Sequence, residues 1–127
     1  MAQYADVIEI VAPAQAAPGT SVDITIRVRN TYSGAIGIMV GGALEYGASP
    51  WPGIDLTENS ANVDGGVTYS FGGSFIMPGG RVTIHAYSYW YGSDGYWYFD
   101  DEMTKIVNLM SQSPQVSEFK IADFYRV

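Results

Sequence analysis

In SVDITIRVRN (residues 21–30) every second residue up to Val28 is a β-branched aliphatic. Val22, Ile24, Ile26 and Val28 share one parity; Asp23, Thr25, Arg27 and Arg29 share the other. Successive side chains of a strand point to opposite faces, so this pattern calls for an extended segment with one buried and one wet face. The period recurs along the chain. ADVIEIV (5–11) reads as a first strand closed by Pro13, and Ala14 to Gly19 as a small-residue connection with its turn at Pro18-Gly19. In AIGIMVGGALEYG (35–47), Ile36, Ile38, Val40, Leu44 and Tyr46 fall on one side and Ala35, Gly37, Met39, Gly41 and Ala43 on the other. Gly41-Gly42 marks a bulge or a place where another backbone comes close. A short edge strand is expected near Ile54-Asp55-Leu56, because twenty structureless residues between 47 and 66 would be unusual. GVTYSFGGSFIMP (66–78) is a further strand, bent at Gly72-Gly73.

Seven or eight short strands separated by turn signals, with no amphipathic helix, predict an all-β fold: a single two-sheet β-sandwich. Val22, Ile24, Ile26, Val28, Ile36, Ile38, Val40, Val82 and Ile84 are expected to face one core.

Residues 81–109, RVTIHAYSYWYGSDGYWYFDDEMTKIVNL, read as one long hairpin around Gly92-Ser93-Asp94-Gly95. This stretch holds five of the ten tyrosines, two of the three tryptophans and the single histidine. A two-residue loop would pair Tyr91 with Tyr96, Trp90 with Trp97 and Tyr89 with Tyr98, giving one indole face and one tyrosine ladder. A three-residue loop, with Gly95 in the left-handed position of a bulge, would shift the register by one and mix the faces. The sequence leaves both open. At least one of Trp90 and Trp97 is expected in the core. Tyr87, Tyr89, Tyr91, Tyr96 and Tyr98 form a candidate binding surface, since tyrosine and tryptophan both stack on sugars and anchor protein interfaces. Trp51, between two prolines, is a lid on the core or part of the same surface.

The length suits one domain with a core that needs no staples. There is no cysteine, hence no disulfide and no thiolate metal site. Thirteen acidic residues against six basic ones argue against nucleic acid and anionic membranes as partners. No signal peptide is visible in MAQYADVIEI. Nucleophilic catalysis finds no support: His85 is mid-strand, and there is no Gly-x-Ser-x-Gly elbow. Asp94, Asp100, Asp101 and Glu102 are weak candidates for a Ca²⁺ site, because adjacent residues on a strand point to opposite faces and the EF-hand pattern is missing. The reading is therefore no metal and no cofactor, with Asp94 serving the turn.

APGTSVDITIRVRNT resembles the opening of Ig-like modules of the bacterial and archaeal adhesion-related (CARDB-like) group, and GGSFIMPGGRVTIHAYSYW resembles their later strand–turn–strand. The resemblance covers about residues 5–109. It implies an Ig-like antiparallel sandwich of about seven strands and a non-catalytic role, as in surface-protein repeats and the similar modules on phage virions. The expected organisation is a sandwich over 1–110, a linker at 111–115 and an additional alternating strand at 116–127. Phe119, Ile121 and Tyr125 of that strand are candidate assembly contacts, exchanged with a neighbouring subunit. The expectation is a structural protein that assembles with itself or another protein, placed at a virion surface as a decoration or fibre protein. The alternative is an extracellular adhesion or glycan-binding module.

Overall fold

The computed structural model describes residues 2–110. The candidate assembly residues Phe119, Ile121 and Tyr125, the linker and the C-terminal strand lie outside the described residues. Among the described residues nine strands follow in chain order: β1 (Ala5–Val11), β2 (Gln15–Ala16), β3 (Ser21–Asn30), β4 (Ile36–Glu45), β5 (Asp55–Leu56), β6 (Ser60–Val63), β7 (Thr68–Ile76), β8 (Val82–Tyr91) and β9 (Trp97–Leu109). They form two sheets, ordered β1-β3-β7-β5 and β2-β9-β8-β4-β6. Without β2 and β6, the remaining seven strands have the order of a constant-type immunoglobulin sandwich, with first, second, fifth and fourth in one sheet and third, sixth and seventh in the other.

The two short additions escape period-two reading because two to four residues carry too little pattern. β2 pairs in parallel with the end of β9, Gln15 with Asn108 and Ala16 with Leu109, so the fold is not wholly antiparallel. The chain leaves one sheet after Val11 and joins the other at Gln15. β6 lies along the start of β4, Ile36 opposite Val63 and Met39 opposite Ser60.

The core is the alternation made solid. Val22, Ile24, Ile26 and Val28 of β3 meet Ile38, Val40, Val82, Ile84 and Val107 of the facing sheet, all buried. Ile36 is half-buried and packs against this cluster. The glycine pairs are not bulges. β4 pairs with β8 without a shift from Ile38 to Glu45, and β7 with β3 without a shift from Thr68 to Ile76. Instead, Gly42 admits the returning chain. Ile54 N–H donates to its carbonyl at 3.1 Å, and a Cβ there would lie 2.6 Å from Ile54 Cδ1.

The hairpin adopts the three-residue loop. Gly92 N–H donates to the Tyr96 carbonyl, Gly95 N–H to the Gly92 carbonyl, and Gly95 has φ +86°, the left-handed conformation glycine tolerates. Tyr91 therefore pairs with Trp97, Trp90 with Tyr98 and Tyr89 with Phe99. A β-bulge at Asp100 shifts the ladder again, so that Ser88 pairs with Asp101 and Tyr87 with Glu102.

Candidate functional site

The register separates the predicted aromatic set. Tyr87, Tyr89 and Tyr91 point outward from β8, joined by Phe99 and Trp97 of β9. Trp90, with Tyr98 stacked on it at a ring distance of 4.9 Å, turns to the other side and packs against the core. Tyr96 sits in the turn and is 69% exposed. The separate indole and tyrosine faces of the two-residue loop do not form, because one extra loop residue moves every partner by one position.

On the outer face of the five-stranded sheet, aromatic strands lie beside a strand of small residues. Gly41 pairs with Tyr87, Met39 with Tyr89 and Ala43 with His85. Tyr89 leans over Gly41, and the Trp97 indole reaches across Tyr91 to Gly37. The rings contact one another in sequence: Tyr87–Phe99 tilted at 6.3 Å, Tyr89–Phe99 edge-to-face at 5.7 Å and Tyr91–Trp97 edge-to-face at 5.0 Å. Phe99 remains 59% exposed, Tyr91 46% and Trp97 39%. Large apolar rings thus stay in contact with water on this sheet face, which the folding of the sandwich does not require.

Trp51 belongs to this surface. It stacks on His85 at 4.9 Å with 19° between the planes. Its indole nitrogen is buried and has no hydrogen-bond partner among the described residues. His85 bridges three strands: Nδ1 lies 2.8 Å from Glu102 Oε2 on β9, and Nε2 lies 2.8 Å from Glu45 Oε1 on β4. With a carboxylate at each ring nitrogen, the imidazolium can donate both hydrogen bonds, and Glu102 followed by Glu45 raises its pKa above the usual histidine value. The arrangement consumes both nitrogens in ion pairs and leaves neither to take a proton from a substrate.

The acidic candidates divide among separate tasks. Asp94 accepts a hydrogen bond from the Tyr98 hydroxyl and one from Tyr96 N–H, and the hydroxyl holds its carboxyl below the ordinary range. Glu102 serves His85. Asp100 and Asp101 hold β1: the Asp100 carboxylate accepts from the backbone N–H groups of Gln3, Tyr4 and Ala5 at 2.5, 2.8 and 2.6 Å, and Asp101 accepts from Val7 N–H at 2.9 Å. Strict strand alternation would send these two neighbours to opposite faces. The bulge at Asp100 turns both toward β1, and no short-range signal in the sequence announces it. Burial and the Asp101 carboxylate push Asp6 upward in pKa beside them. Among the described residues no three histidine, aspartate or glutamate side chains converge as metal ligands do.

A second feature, unforeseen from the sequence, opens at the hairpin end of the sandwich. It is a cleft of 650 Å³ with Tyr4, Tyr32, Trp90 and Tyr91 among its walls and Gly37 and Asn62 along its side. Tyr4 stands edge-on to Tyr32 (5.1 Å, 74°) and to Trp90 (4.9 Å, 88°). Tyr4 and Tyr32 lie in segments that read as strand entry and turn, so only the packing of the two sheets brings them to the hairpin.

No family model matches this sequence, and no curated protein matches it. Solved structures with a similar fold do exist. The alkylpurine DNA glycosylase AlkC of Pseudomonas fluorescens, in a complex with DNA containing an abasic site analogue, superposes with a TM-score of 0.60 at 12% identity, over 85% of this chain and 31% of that one. This chain thus spans about a third of the glycosylase. A putative ApaA protein from Bordetella pertussis superposes with a TM-score of 0.56 at 14% identity, over 89% of this chain and 100% of that one. At such identities the likeness shows a shared fold and carries no activity from either protein to this chain.

Proposed function

We propose that this chain is a non-enzymatic assembly module whose outer five-stranded face seats a protein partner, a second copy of the chain first among them. The observation behind this reading is the aromatic face itself: Tyr87, Tyr89, Tyr91, Trp97, Phe99 and Trp51 lie together against a glycine- and alanine-lined strand. Tyrosine and tryptophan are the residues that dominate protein interfaces, and a flat bed of small residues lets a partner approach closely. The charge in the middle of the face is internally paired at His85, so a partner need not neutralise it. A protein partner is favoured over a glycan because the rings pack edge-to-face against one another and do not lie as one coplanar platform for stacking a sugar ring. The DNA in the glycosylase complex is not transferred to this chain, whose formal net charge of −7 opposes a phosphate backbone. A decoration or fibre protein of a virion is the setting this reading suggests, with an adhesion module at a cell surface as the alternative.

The test is solution mass of the full chain by light scattering, beside Phe99→Asp. A concentration-dependent assembly that Phe99→Asp weakens about a hundredfold without altering the melting temperature is expected. A chain that stays monomeric and binds a polysaccharide through Trp51 or Tyr89 would move the reading to the adhesion module.

A further inference from the structure

The cleft at the hairpin end adjoins the aromatic face and shares Tyr91 and Gly37 with it, but its remaining walls are fixed by their own contacts. Asn30 is fully buried: its Nδ2 donates to the carbonyls of Gly34 and Val63 at 2.9 and 2.8 Å, and its Oδ1 accepts from Tyr32 N–H at 2.8 Å. That one amide sets the turn carrying Tyr32. Asp100 sets the segment carrying Tyr4 through three backbone N–H groups. Thr31 N–H donates to the Tyr4 carbonyl at 2.8 Å and ties the two walls together. Trp90 is anchored by the core beneath it. The aromatic walls are thus preorganised before any ligand arrives.

The chemistry of the walls restricts the ligand. The volume lies within the range of small-molecule sites. Among the described residues no charged side chain lines the cleft, so an anion finds no counter-ion there. Tyr4, Tyr32, Trp90 and Tyr91 bring four aromatic rings to one cleft, and aromatic rings attract an organic cation. Carboxylates outnumber cations at this end, where the Arg29 guanidinium lies against Gly66. Asp64 and Asp94 lie in the loops at this end, Asp100 lies behind Tyr4, and the whole chain is acidic. Loops 31–35 and 64–66 meet where Gly65 packs on the Ser33 carbonyl, which places Asp64 beside the Tyr32 wall.

We infer that this cleft binds a methylated ammonium group, held among the rings of Tyr4, Tyr32, Trp90 and Tyr91 that line it. Two sources share that chemistry: a free choline-like compound and a trimethylated lysine side chain.

The experiment follows the ring resonances of Trp90 by NMR in the full chain. Choline, N-acetyl-trimethyllysine amide and the uncharged choline isostere 3,3-dimethylbutan-1-ol are titrated in turn, with sodium chloride matching ionic strength. Saturable shifts are expected with the cations and binding at least about tenfold weaker with the isostere, since the isostere keeps the shape and loses the charge. The tighter of the two cations identifies the source. Tyr32→Leu, at a position 43% exposed, keeps apolar bulk and removes the ring; it is expected to weaken the cation by roughly five- to thirtyfold and to leave the isostere unchanged. Equal binding of cation and isostere would overturn the proposal, as would shifts no larger than those from sodium chloride. Neither result bears on the outer-face assembly, which Phe99→Asp tests independently.

Discussion

The two sheets present opposite outer faces to water. On the four-stranded sheet the outward positions of β3 are Ser21, Asp23, Thr25, Arg27 and Arg29, flanked by Glu9 of β1 and Ser70 and Ser74 of β7. Arg27 and Glu9 form an ion pair at 2.8 Å between half-exposed side chains. Val11 and Ile76 at its margins are exposed aliphatics, but the face carries no aromatic cluster and is otherwise the polar, solvated side of a sandwich. On the five-stranded sheet the outward positions of β8 are Thr83, His85, Tyr87, Tyr89 and Tyr91. The inner faces are alike, aliphatic and buried. Folding therefore requires the inner alternation of both sheets and explains the polar outer face of one, but it does not require the aromatic outer face of the other. That difference between the sheets is what points to a partner.

The comparison breaks most violently if the inner and outer positions of a single sheet prove equivalent. Ile26→Asp buries a lone carboxylate between the sheets and should cost more than about 4 kcal/mol, enough to unfold the domain. Ser70→Asp, outward on the adjacent strand, should change stability by no more than about 0.5 kcal/mol. Urea denaturation of the pair decides it; similar midpoints would refute the inside–outside assignment.

Next in size is the seam where β1 meets β9. Asp100→Ala removes the acceptor for three backbone donors and should lower stability by about 2–3 kcal/mol. Asp100→Asn, which keeps one acceptor oxygen, should lose less. If both variants melt like the wild type, water replaces the carboxylate and the bulge has no structural task.

The outer faces themselves are compared by association. Phe99→Asp should weaken assembly about a hundredfold, in line with a central aromatic anchor, while Arg27→Asp on the polar face leaves assembly intact. Sedimentation across a concentration series reads both. Equal effects from the two faces would remove the distinction on which the proposed function stands.

The smallest effect concerns the charged centre of the aromatic face. The folded-state pKa of His85 is raised, so its ion pairs stabilise fully below the unfolded value of about 6.5 and lose that contribution as pH rises through the folded pKa. The loss should stay below about 1 kcal/mol, because Glu45 and Glu102 are more than 40% exposed. Denaturation midpoints should fall from pH 6 into the alkaline range and lose that dependence in His85→Gln. A midpoint that rises over the same range in the wild type would show that the imidazole is held neutral.

What the sequence determined by itself is the part governed by short-range geometry. Period two over β3 and β4 set which residues are buried, since an extended chain has only two faces and only one of them could be apolar. The turn glycines set where the hairpin reverses. The register of that hairpin stayed open between two loops. It was decided by Gly95 adopting φ +86° and by the bulge at Asp100, which exists only because β1 supplies backbone donors to two successive carboxylates. Those donors come from residues more than ninety positions away. The same holds for both candidate sites. That Tyr87, Tyr89 and Tyr91 would share a face was legible in their spacing; that Trp51 would cover His85, or that Tyr4 and Tyr32 would wall a cleft with Trp90, was not. Local periodicity specifies the direction of a side chain relative to its own strand, whereas the identity of its neighbour depends on how two sheets pack, and that is a property of the whole chain.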